Sequence, residues 1–430
     1  MYTKAFLALI ATASAVPSPR QTTSQSLNVT ESTWDGECFY PKPVDDFSLD
    51  FYLGRWYQVA GSSFGETAGC TCIYAEYSLN ENGTVNVLNG CQAGEQDVTI
   101  RASPVQQIQP MEKPACSESN SLLRLHQPNN LPAFEDATAD AEVDVIVISS
   151  IPETHFAFAK AALEAGKHVI VEKPFVPTSA EASQLVEVVK RTGKQLSVFQ
   201  NRRWDSDYCT VAKVMKEGLL GDIAEFETHF DRHRPDPPAD SWKLEDKPGN
   251  GALYDLGSHL IDQIYHSFGL PEKVTGFVGN QRRGVKGGAP DSCTVLLHYP
   301  GMLATAKAGV VSCETKQLRF WVKGTKGSFK KFHLDVQEGQ LRDGMRPADK
   351  GYGLDPEEHY GTLTTLIDGK PQREVYPTVE APTYVAYYRQ FAEALAGKAP
   401  VPVSAEEARD VLRIIEAAIQ SSHEERSVRI

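Results

Sequence analysis

Three ionisable side chains, Lys173, Asp255 and His259, have the chemistry needed to oxidise a secondary alcohol. In such an oxidation a hydride leaves the carbon while a base removes the hydroxyl proton, and a histidine with a pKa near neutrality suits the second task. A carboxylate beside it can bind the substrate or hold the imidazole, and a lysine ammonium can stabilise the developing alkoxide. We therefore predict that His259 is a general base.

The spacing of Asp255 and His259 leaves two other interpretations open. Residues four apart project from one face of a helix, so the two could form an ordinary surface pair that contributes a few tenths of a kcal/mol. They could also bind a metal ion, but no third ligand is apparent, and we predict no metal site. Lys173, in the run Glu172-Lys173-Pro174 upstream, favours catalysis.

Lys173 lies in a segment where strand and helix patterns alternate. Apolar runs of buried-strand length are separated by helical patterns, one of which begins at a capping box. This succession implies a parallel sheet with right-handed crossovers and with catalytic groups at the carboxyl ends of its strands. The predicted elements are strands Val143–Ser149, His168–Glu172 and Gln195–Gln200, and helices from about Thr154 to Gly166 and from Thr178 to Gly193.

The C-terminal half of the chain predicts a second type of sheet. Asp255 and His259 belong to a helix-like stretch from about Ala252 to Phe268. The strand-like runs around it alternate as in an antiparallel sheet with one solvated face. These runs are Glu225–Phe230, Cys293–Tyr299, Met302–Val311 and Leu318–Val322, and helices over Tyr384–Leu395 and from the capping box Ser404–Glu407 complete the chain.

The first 140 residues differ in character. Five of the eight cysteines lie within the first 116 residues, a density that indicates disulfide partners. Residues 1–15 have the basic start, apolar run and small-x-small end of a signal peptide, so we expect secretion if that peptide is genuine. The glycosylation sequons at Asn28 and Asn82 are compatible with this. A buried N-terminal helix is the alternative.

Residues 38–104 read as a β-meander, and residues 105–140 read as a linker. Strand-like runs are joined through Asn82-Gly83, a pair that tolerates positive φ in a hairpin. Gly54-Arg-Trp-Tyr57 and the strands after it resemble the opening strands of a lipocalin. The resemblance implies a β-barrel that holds a small apolar ligand, but only half the strands of such a barrel are present. The linker has recurring prolines and no periodicity, so we predict disorder there.

Composition excludes two classes of function. The net charge is −13 and no cationic run recurs, so the chain would repel nucleic acid. No apolar run approaches the roughly 20 residues of a membrane span.

Several motifs resemble the glucose-fructose oxidoreductase and inositol dehydrogenase family, called Gfo/Idh/MocA, and most closely its NADP-dependent scyllo-inositol 2-dehydrogenase branch. The motifs are Ile151–His155, Ala162–Val169, Glu172–Pro174, Asn201–Asp207, Gly251–His259, Gly324–Ser328 and Gly351–Gly353. The resemblance implies a polyol or sugar substrate, NADP or NAD as cofactor, and Lys173, Asp255 and His259 as the catalytic residues.

The resemblance also implies roles for neighbouring residues. Cofactor contacts are expected at Ser149, Ser150, Pro152, His155, Glu172 and Lys173. Independently of the resemblance, Arg203, Trp204 and Asp205 sit at the end of the next strand and could either line the substrate side or pack at a domain interface. The C-terminal sheet is expected to mediate homo-oligomerisation. One family part is missing: no Gly-x-Gly-x-x-Gly turn, which would bind the cofactor pyrophosphate, occurs upstream of Val143.

The predicted fold is therefore α/β, with an incomplete Rossmann sheet over 141–201 and an α+β domain with a large, mostly antiparallel sheet over 202–430. The leading functional hypothesis is a polyol or sugar dehydrogenase. The alternatives are a secreted lipocalin-like binding protein, a catalytically silent relative, and an erroneous join of two genes. In the last case the dehydrogenase part would be cytoplasmic.

Overall fold

A computed structural model of the chain describes residues 134–141, 143–237, 242–283, 288–380 and 382–430, together with the backbone of four strands between residues 54 and 105. The chain divides into two compact units, one containing those four strands and the other containing Phe134–Ile430. The predicted signal peptide, the sequons and most of the predicted linker lie outside the described residues.

The N-terminal unit contains a four-stranded antiparallel sheet. Its strands pair in chain order, with Leu79 opposite Val85 and Ala93 opposite Gln96. The sequence prediction of a meander is confirmed. The strands are β1 (Gly54–Tyr57), β2 (Thr71–Leu79), β3 (Val85–Ala93) and β4 (Gln96–Val105).

The second unit begins with the predicted parallel sheet. Strands β5, β6 and β7 lie side by side in that order, with Ile148 opposite Val171 and Glu172 opposite Phe199. Thr178 and Glu181 form the expected capping box, and Gly193 ends that helix with a φ of +67°. The elements are α1 (Phe134–Ala139), β5 (Val145–Ile148), α2 (Pro152–Glu164), β6 (His168–Glu172), α3 (Ser179–Thr192) and β7 (Leu196–Phe199).

Helix α1 lies inside the span that the sequence predicts as a linker. Ala137 is buried, and the Phe134 ring packs against Phe158 of α2 with ring centroids 4.6 Å apart. Six residues are too few to show a helical period, so this turn forms because of its tertiary contact with α2. The C-terminal end of the predicted linker is therefore ordered.

A nine-stranded sheet follows, in the order β15-β14-β13-β12-β8-β11-β10-β9-β16. Only β8 and β11 pair in parallel, so the mostly antiparallel prediction is confirmed. The strands are β8 (Ile223–Asp231), β9 (Lys273–Gly279), β10 (Ser292–Tyr299), β11 (Met302–Gly309), β12 (Leu318–Gly324), β13 (Gly327–Phe332), β14 (Gly361–Ile367), β15 (Lys370–Tyr376) and β16 (Val428–Arg429). The helices are α4 (Ser206–Lys216), α5 (Ser258–Phe268), α6 (Gln337–Arg342), α7 (Thr383–Leu395) and α8 (Ala405–Glu424).

One face of the nine-stranded sheet forms the core with α5 and α8. Phe226 and Phe320 are fully buried on neighbouring strands with their rings edge to face. The opposite face carries exposed apolar side chains, among them Phe277 at 62% and Val375 at 70% exposure. No helix among the described residues is long and apolar enough to cross a bilayer.

The parallel sheet packs against the C-terminal helical segment beside β7. The Val198 N–H donates to Val403 O at 3.1 Å, and the Phe199 ring packs edge to face on Tyr387 of α7. These contacts fix β7 on the C-terminal helices, and the predicted catalytic residues lie after β6 and at the start of α5.

Candidate active site

Lys173 and Asp255 are in direct contact. Lys173 follows β6, and its Nζ donates to the Asp255 carbonyl oxygen at 2.8 Å and to Oδ1 at 3.1 Å. Lys243 Nζ lies 3.3 Å from the same Oδ1. Burial alone would raise the pKa of Asp255, but Lys173, Lys243 and Arg232 outweigh burial and hold that pKa well below its usual range. Asp255 is therefore a carboxylate that accepts from two ammonium groups.

Asp255 lies in a widened turn that leads into α5. Residues Leu253–Gly257 form one π-helical turn, a feature frequently found at functional sites. The chain enters this turn at Gly251, where φ is +87° and an added Cβ would lie 2.8 Å from Pro290 O. That close approach lets the Ala252 N–H donate to Pro290 O at 2.7 Å. The glycine thus fixes where the helix begins and where Asp255 points.

His259 lies in the first turn of α5 and is 5% exposed. Its Nδ1 is buried and has no hydrogen-bond partner among the described residues. Burial lowers the pKa of His259 well below its usual range, and Lys173, Arg202, Arg319 and Arg232 lower it further. The imidazole is therefore neutral near physiological pH, the form that accepts a proton.

Glu172 lies beside Lys173 at the end of β6. Burial raises the pKa of its carboxyl to about 7, although Lys173 opposes the shift. The Lys173 N–H donates to Glu172 Oε2 at 3.1 Å. A carboxyl with this pKa exchanges protons near neutral pH, as acid–base groups of active sites do.

These side chains share one cavity of about 280 Å³. Lys173, Asp255, His259 and Glu172, which the sequence analysis selected, all line it. Its walls combine the end of β6, the residues after β7, the end of β8, the start of α5, and α6. The remaining lining residues are Phe199, Asn201, Arg202, Phe230, Arg232, Arg234, Lys243, Leu256, Glu338 and Arg342.

The other predicted cofactor residues follow β5 at the same edge of the parallel sheet. Ser150 Oγ lies 2.5 Å from Thr154 Oγ1, and Pro152 is the first residue of α2. His155 is buried, with Nδ1 3.0 Å from Pro174 O and Nε2 3.1 Å from Ser150 O. His155 therefore joins the loop after β5 to the loop after β6. Ser149, Ser150, Pro152 and His155 do not line the cavity described above.

Arg203, Trp204 and Asp205 do not line the cavity either, and their contacts are those of the interface-packing alternative. Arg203 makes a bidentate pair with Asp262 at 2.8 and 2.9 Å and also pairs with Glu407. The Trp204 ring packs on Tyr387, and Asp205 accepts from Tyr384 Oη at 2.9 Å. All three are buried and hold elements together.

The residues of this segment that line the cavity are Asn201 and Arg202, which directly precede Arg203. Asn201–Trp204 form a 3-10 turn, in which successive side chains point in different directions. A side chain that lines the cavity is therefore followed directly by one that packs in the core. Arg232 and Arg234 were also missed. Both follow the end of β8, and their spacing along the sequence matches no pattern that would mark them as ligand-binding residues.

The carboxyl edge of β5, β6 and β7 fits the nicotinamide end of a dinucleotide. Ser149 and Ser150 offer hydroxyl groups after β5, and the loop after β6 brings Lys173 to the same edge. The buried Nδ1 of His259 has no partner among the described residues, as expected of a site that receives a ligand. Over the part of the chain that the structure describes, no cluster of three or more acidic, histidine or cysteine side chains could hold a metal ion.

Family models match three parts of the chain. The C-terminal alpha/beta domain of the Gfo/Idh/MocA oxidoreductase family matches residues 212–430, and its NAD-binding Rossmann fold matches residues 101–200. A lipocalin-like domain matches residues 47–148. The Rossmann and lipocalin matches overlap over residues 101–148.

Individual relatives agree with the family match. The scyllo-inositol 2-dehydrogenase (NADP(+)) of Bacillus subtilis is 37% identical over 295 residues, which is 69% of this chain and 81% of that protein. An uncharacterised oxidoreductase of Schizosaccharomyces pombe is 39% identical over 309 residues, covering 69% and 84%. The solved structure of the oxidoreductase yvaA from Bacillus subtilis superposes with a TM-score of 0.67 at 37% identity, covering 70% of this chain and 84% of that one.

Proposed function

This chain belongs to the Gfo/Idh/MocA oxidoreductase family, and from that membership we propose that Lys173, Asp255 and His259 oxidise a secondary hydroxyl group of a cyclic polyol or sugar. NADP or NAD is the hydride acceptor. The observation that carries the proposal is the shared cavity, in which an ammonium, a carboxylate and a neutral imidazole meet at the carboxyl edge of a parallel sheet.

Each side chain has one task in this proposal. The neutral imidazole of His259 takes the proton of the reacting hydroxyl. Lys173 Nζ donates to the same oxygen, because an ammonium stabilises the negative charge that grows there. Asp255 holds Lys173 through two contacts and leaves its second carboxylate oxygen for a substrate hydroxyl. The bound nicotinamide supplies the hydride acceptor.

The geometry also explains how the proton-accepting form is maintained. Burial and four cations disfavour an imidazolium at position 259. The proton that His259 accepts must therefore move on before the next turnover, and Glu172, with a pKa of about 7, lines the same cavity. We propose that Glu172 buffers this proton.

The test is nicotinamide reduction by the full chain with scyllo-inositol as probe, at saturating NADP. His259→Ala should lower kcat by about 10²- to 10⁴-fold, the usual contribution of a general base. His423→Ala is the matched control, because His423 is exposed in the last turn of α8. Equal kcat values for the wild type and His259→Ala would refute the role of His259.

We propose in addition that the exposed face of the nine-stranded sheet joins copies of this chain. Phe277, Leu366 and Val375 are 62%, 53% and 70% exposed, and burying them would remove apolar surface from water. Phe277→Lys and Val375→Lys together should shift the molecular mass measured by light scattering towards the monomer. An unchanged mass would exclude this face as the interface.

A further inference from the structure

The cavity concentrates positive charge in an otherwise acidic protein. Six cationic and three acidic side chains line it, whereas the whole chain has a net charge of −13. The cations are Lys173, Arg202, Arg232, Arg234, Lys243 and Arg342, and the acids are Glu172, Asp255 and Glu338. A neutral polyol does not need this excess.

Four of the six cations have carboxylate partners. Lys173 and Lys243 share Asp255 Oδ1, at 3.1 and 3.3 Å. Arg202 pairs with Asp205 at 3.0 Å and with Glu338, which also pairs with Arg342. These partners balance most of the charge on that side of the cavity.

Arg232 and Arg234 form no ion pair with any carboxylate of the described residues. Arg232 is half-buried, and burial lowers its pKa, although Glu338 and Asp255 oppose that shift from a distance. An arginine side chain does not lose its proton in proteins, so its charge persists in a partly dry setting. A bound anion would offset that cost.

The main chain at both arginines is held in position by other groups, and so is the Arg232 side chain. The Arg232 guanidinium lies over the Phe230 ring at 4.9 Å, and its backbone N–H donates to Gly309 O at 2.9 Å. Arg234 O accepts from two nitrogens of Arg282, at 2.8 and 2.9 Å. The main chain that carries the two guanidinium groups is thus fixed before a ligand arrives, which lowers the entropy cost of binding.

We propose that the substrate is an anionic polyol, a sugar or cyclitol with a carboxylate or phosphate group, and that Arg232 and Arg234 bind this group. The inference rests on the proposed dehydrogenase function, because it assigns the reacting hydroxyl to Lys173, Asp255 and His259. A guanidinium binds either kind of oxyanion with two parallel hydrogen bonds. Burial lowers the pKa of His259 most and the surrounding cations add to this shift, so an anion bound by the arginines would offset the cationic part.

The size of the cavity agrees with a compact substrate. Its volume of about 280 Å³ lies at the lower end for small-molecule sites. A single six-membered ring with one charged substituent is of this scale, whereas a disaccharide would extend out of the cavity.

The test is calorimetric titration of the full chain at low ionic strength with D-glucose, D-glucose 6-phosphate and D-glucuronate. At least one anion should bind about tenfold or more tightly than glucose, the gain expected from one charge-assisted hydrogen bond. The preference should shrink as salt is added, and comparison of the two anions distinguishes phosphate from carboxylate.

Substitutions of Arg232 and Arg234 test whether these two residues cause the preference for anions over glucose. Arg232→Gln should remove most of the anion preference, measured as the ratio of the anion affinity to the glucose affinity of the same variant. Arg234 is exposed, and Arg234→Gln should remove part of that preference. Arg373→Gln is the control, because Arg373 is exposed on β15, away from the cavity, and its side chain makes one long hydrogen bond, to Thr362 Oγ1 at 3.5 Å, among the described residues. A preference that survives both cavity variants overturns the inference.

The remaining outcomes separate this inference from the function beneath it. Glucose binding as tight as that of both anions overturns the anionic substrate and leaves the dehydrogenase proposal standing. Failure of all three probes to bind overturns the anionic substrate, whereas the dehydrogenase proposal is decided separately by the assay with scyllo-inositol.

Discussion

Glu172 and Asp255 are carboxyl groups in the same cavity whose pKa values move in opposite directions. Burial dominates at Glu172 and raises its pKa to about 7. At Asp255, burial is outweighed by Lys173 and Lys243, and the pKa is held well below its usual range. Two carboxyl groups with pKa values set apart in this way can divide the roles of proton carrier and fixed charge.

The pKa of Glu172 predicts a pH dependence of stability. Its folded pKa of about 7 lies above the ordinary value of 4.5, so this group favours folding most at low pH. The stability is lost as the pH rises through about 7. Glu172→Gln stays neutral, so we expect the variant to exceed the wild type in free energy of unfolding by up to about 3 kcal/mol near pH 8 and by much less near pH 5.

Urea unfolding at the two pH values measures this difference. Glu187→Gln is the matched control, because Glu187 is 71% exposed on α3 and its pair with Lys190 is solvated. The unfolding free energy could instead change equally between the two pH values in the wild type and in Glu172→Gln. That result would show that Glu172 is already ionised in the folded protein at the lower pH.

At the residue scale, the sequence identifies side chains that have a regular spacing and fails for those that do not. Asp255 and His259 are four apart on a helix, and Lys173 ends a recognisable strand, so all three could be selected. Arg232 and Arg234 owe their place in the cavity to the pairing of β8 with β11, a non-local contact without a local pattern. Their selection required the tertiary structure.

At the scale of elements, α8 packs directly against β9. An added Cβ at Gly276 would lie 2.1 Å from Ala418 O, so only glycine allows the strand and the helix to approach so closely. The Gly276 N–H also donates to Ser421 Oγ at 2.9 Å. This contact anchors the C-terminal helix on the large sheet.

Gly276→Ala should therefore destabilise the fold by about 1–3 kcal/mol, the usual cost of overpacking. Gly279→Ala on the same strand provides the control, because an added Cβ there meets nothing within 4 Å and the backbone φ is not positive. Thermal unfolding of the two variants should show a lowered Tm for Gly276→Ala alone. Equal Tm values would mean that α8 and β9 can move apart to make room for the added methyl group without a loss of stability.

Strongly periodic elements were predictable, and short or polar ones were not. The two capping boxes and the buried strands β5, β6 and β7 appear within about two residues of their predicted positions. Strands β9, β13, β14, β15 and β16 were not among the predicted runs. The clearest case is β15, which is exposed along almost its whole length and has no apolar alternation. The turn that holds Asp255 was predicted as helix, but its π-helical hydrogen bonding has no sequence signature.

At the scale of the whole molecule, two family matches overlap over residues 101–148. The described part of the N-terminal unit is an open sheet of four strands in which β1 and β4 are its edges. In the second unit, β5 is an edge strand within the described residues. The sequence contains no Gly-x-Gly-x-x-Gly motif. The backbone N–H groups that such a turn donates to a pyrophosphate are therefore not supplied by this motif.

We therefore expect weak cofactor binding. Loss of two or three charge-assisted hydrogen bonds, at about 1.5–3 kcal/mol each, should weaken NADP or NAD binding on the order of a thousandfold, from micromolar towards millimolar. Calorimetry on the full chain measures the affinity. An authentic strand, glycine turn and helix placed ahead of Val143 should restore it, whereas micromolar binding by the chain as it stands would contradict this expectation.

The most direct test of the central claim is transfer of deuterium from substrate to nicotinamide. The full chain is incubated at saturating NADP with inositol or glucose 6-phosphate deuterated at the carbinol carbons, and the reduced nicotinamide is analysed by mass spectrometry. We predict that the wild type forms deuterated reduced nicotinamide. His259→Ala should form it at a rate at least about a hundredfold lower. Reduced nicotinamide without deuterium, or equal amounts from the two proteins, would contradict hydride transfer at this site.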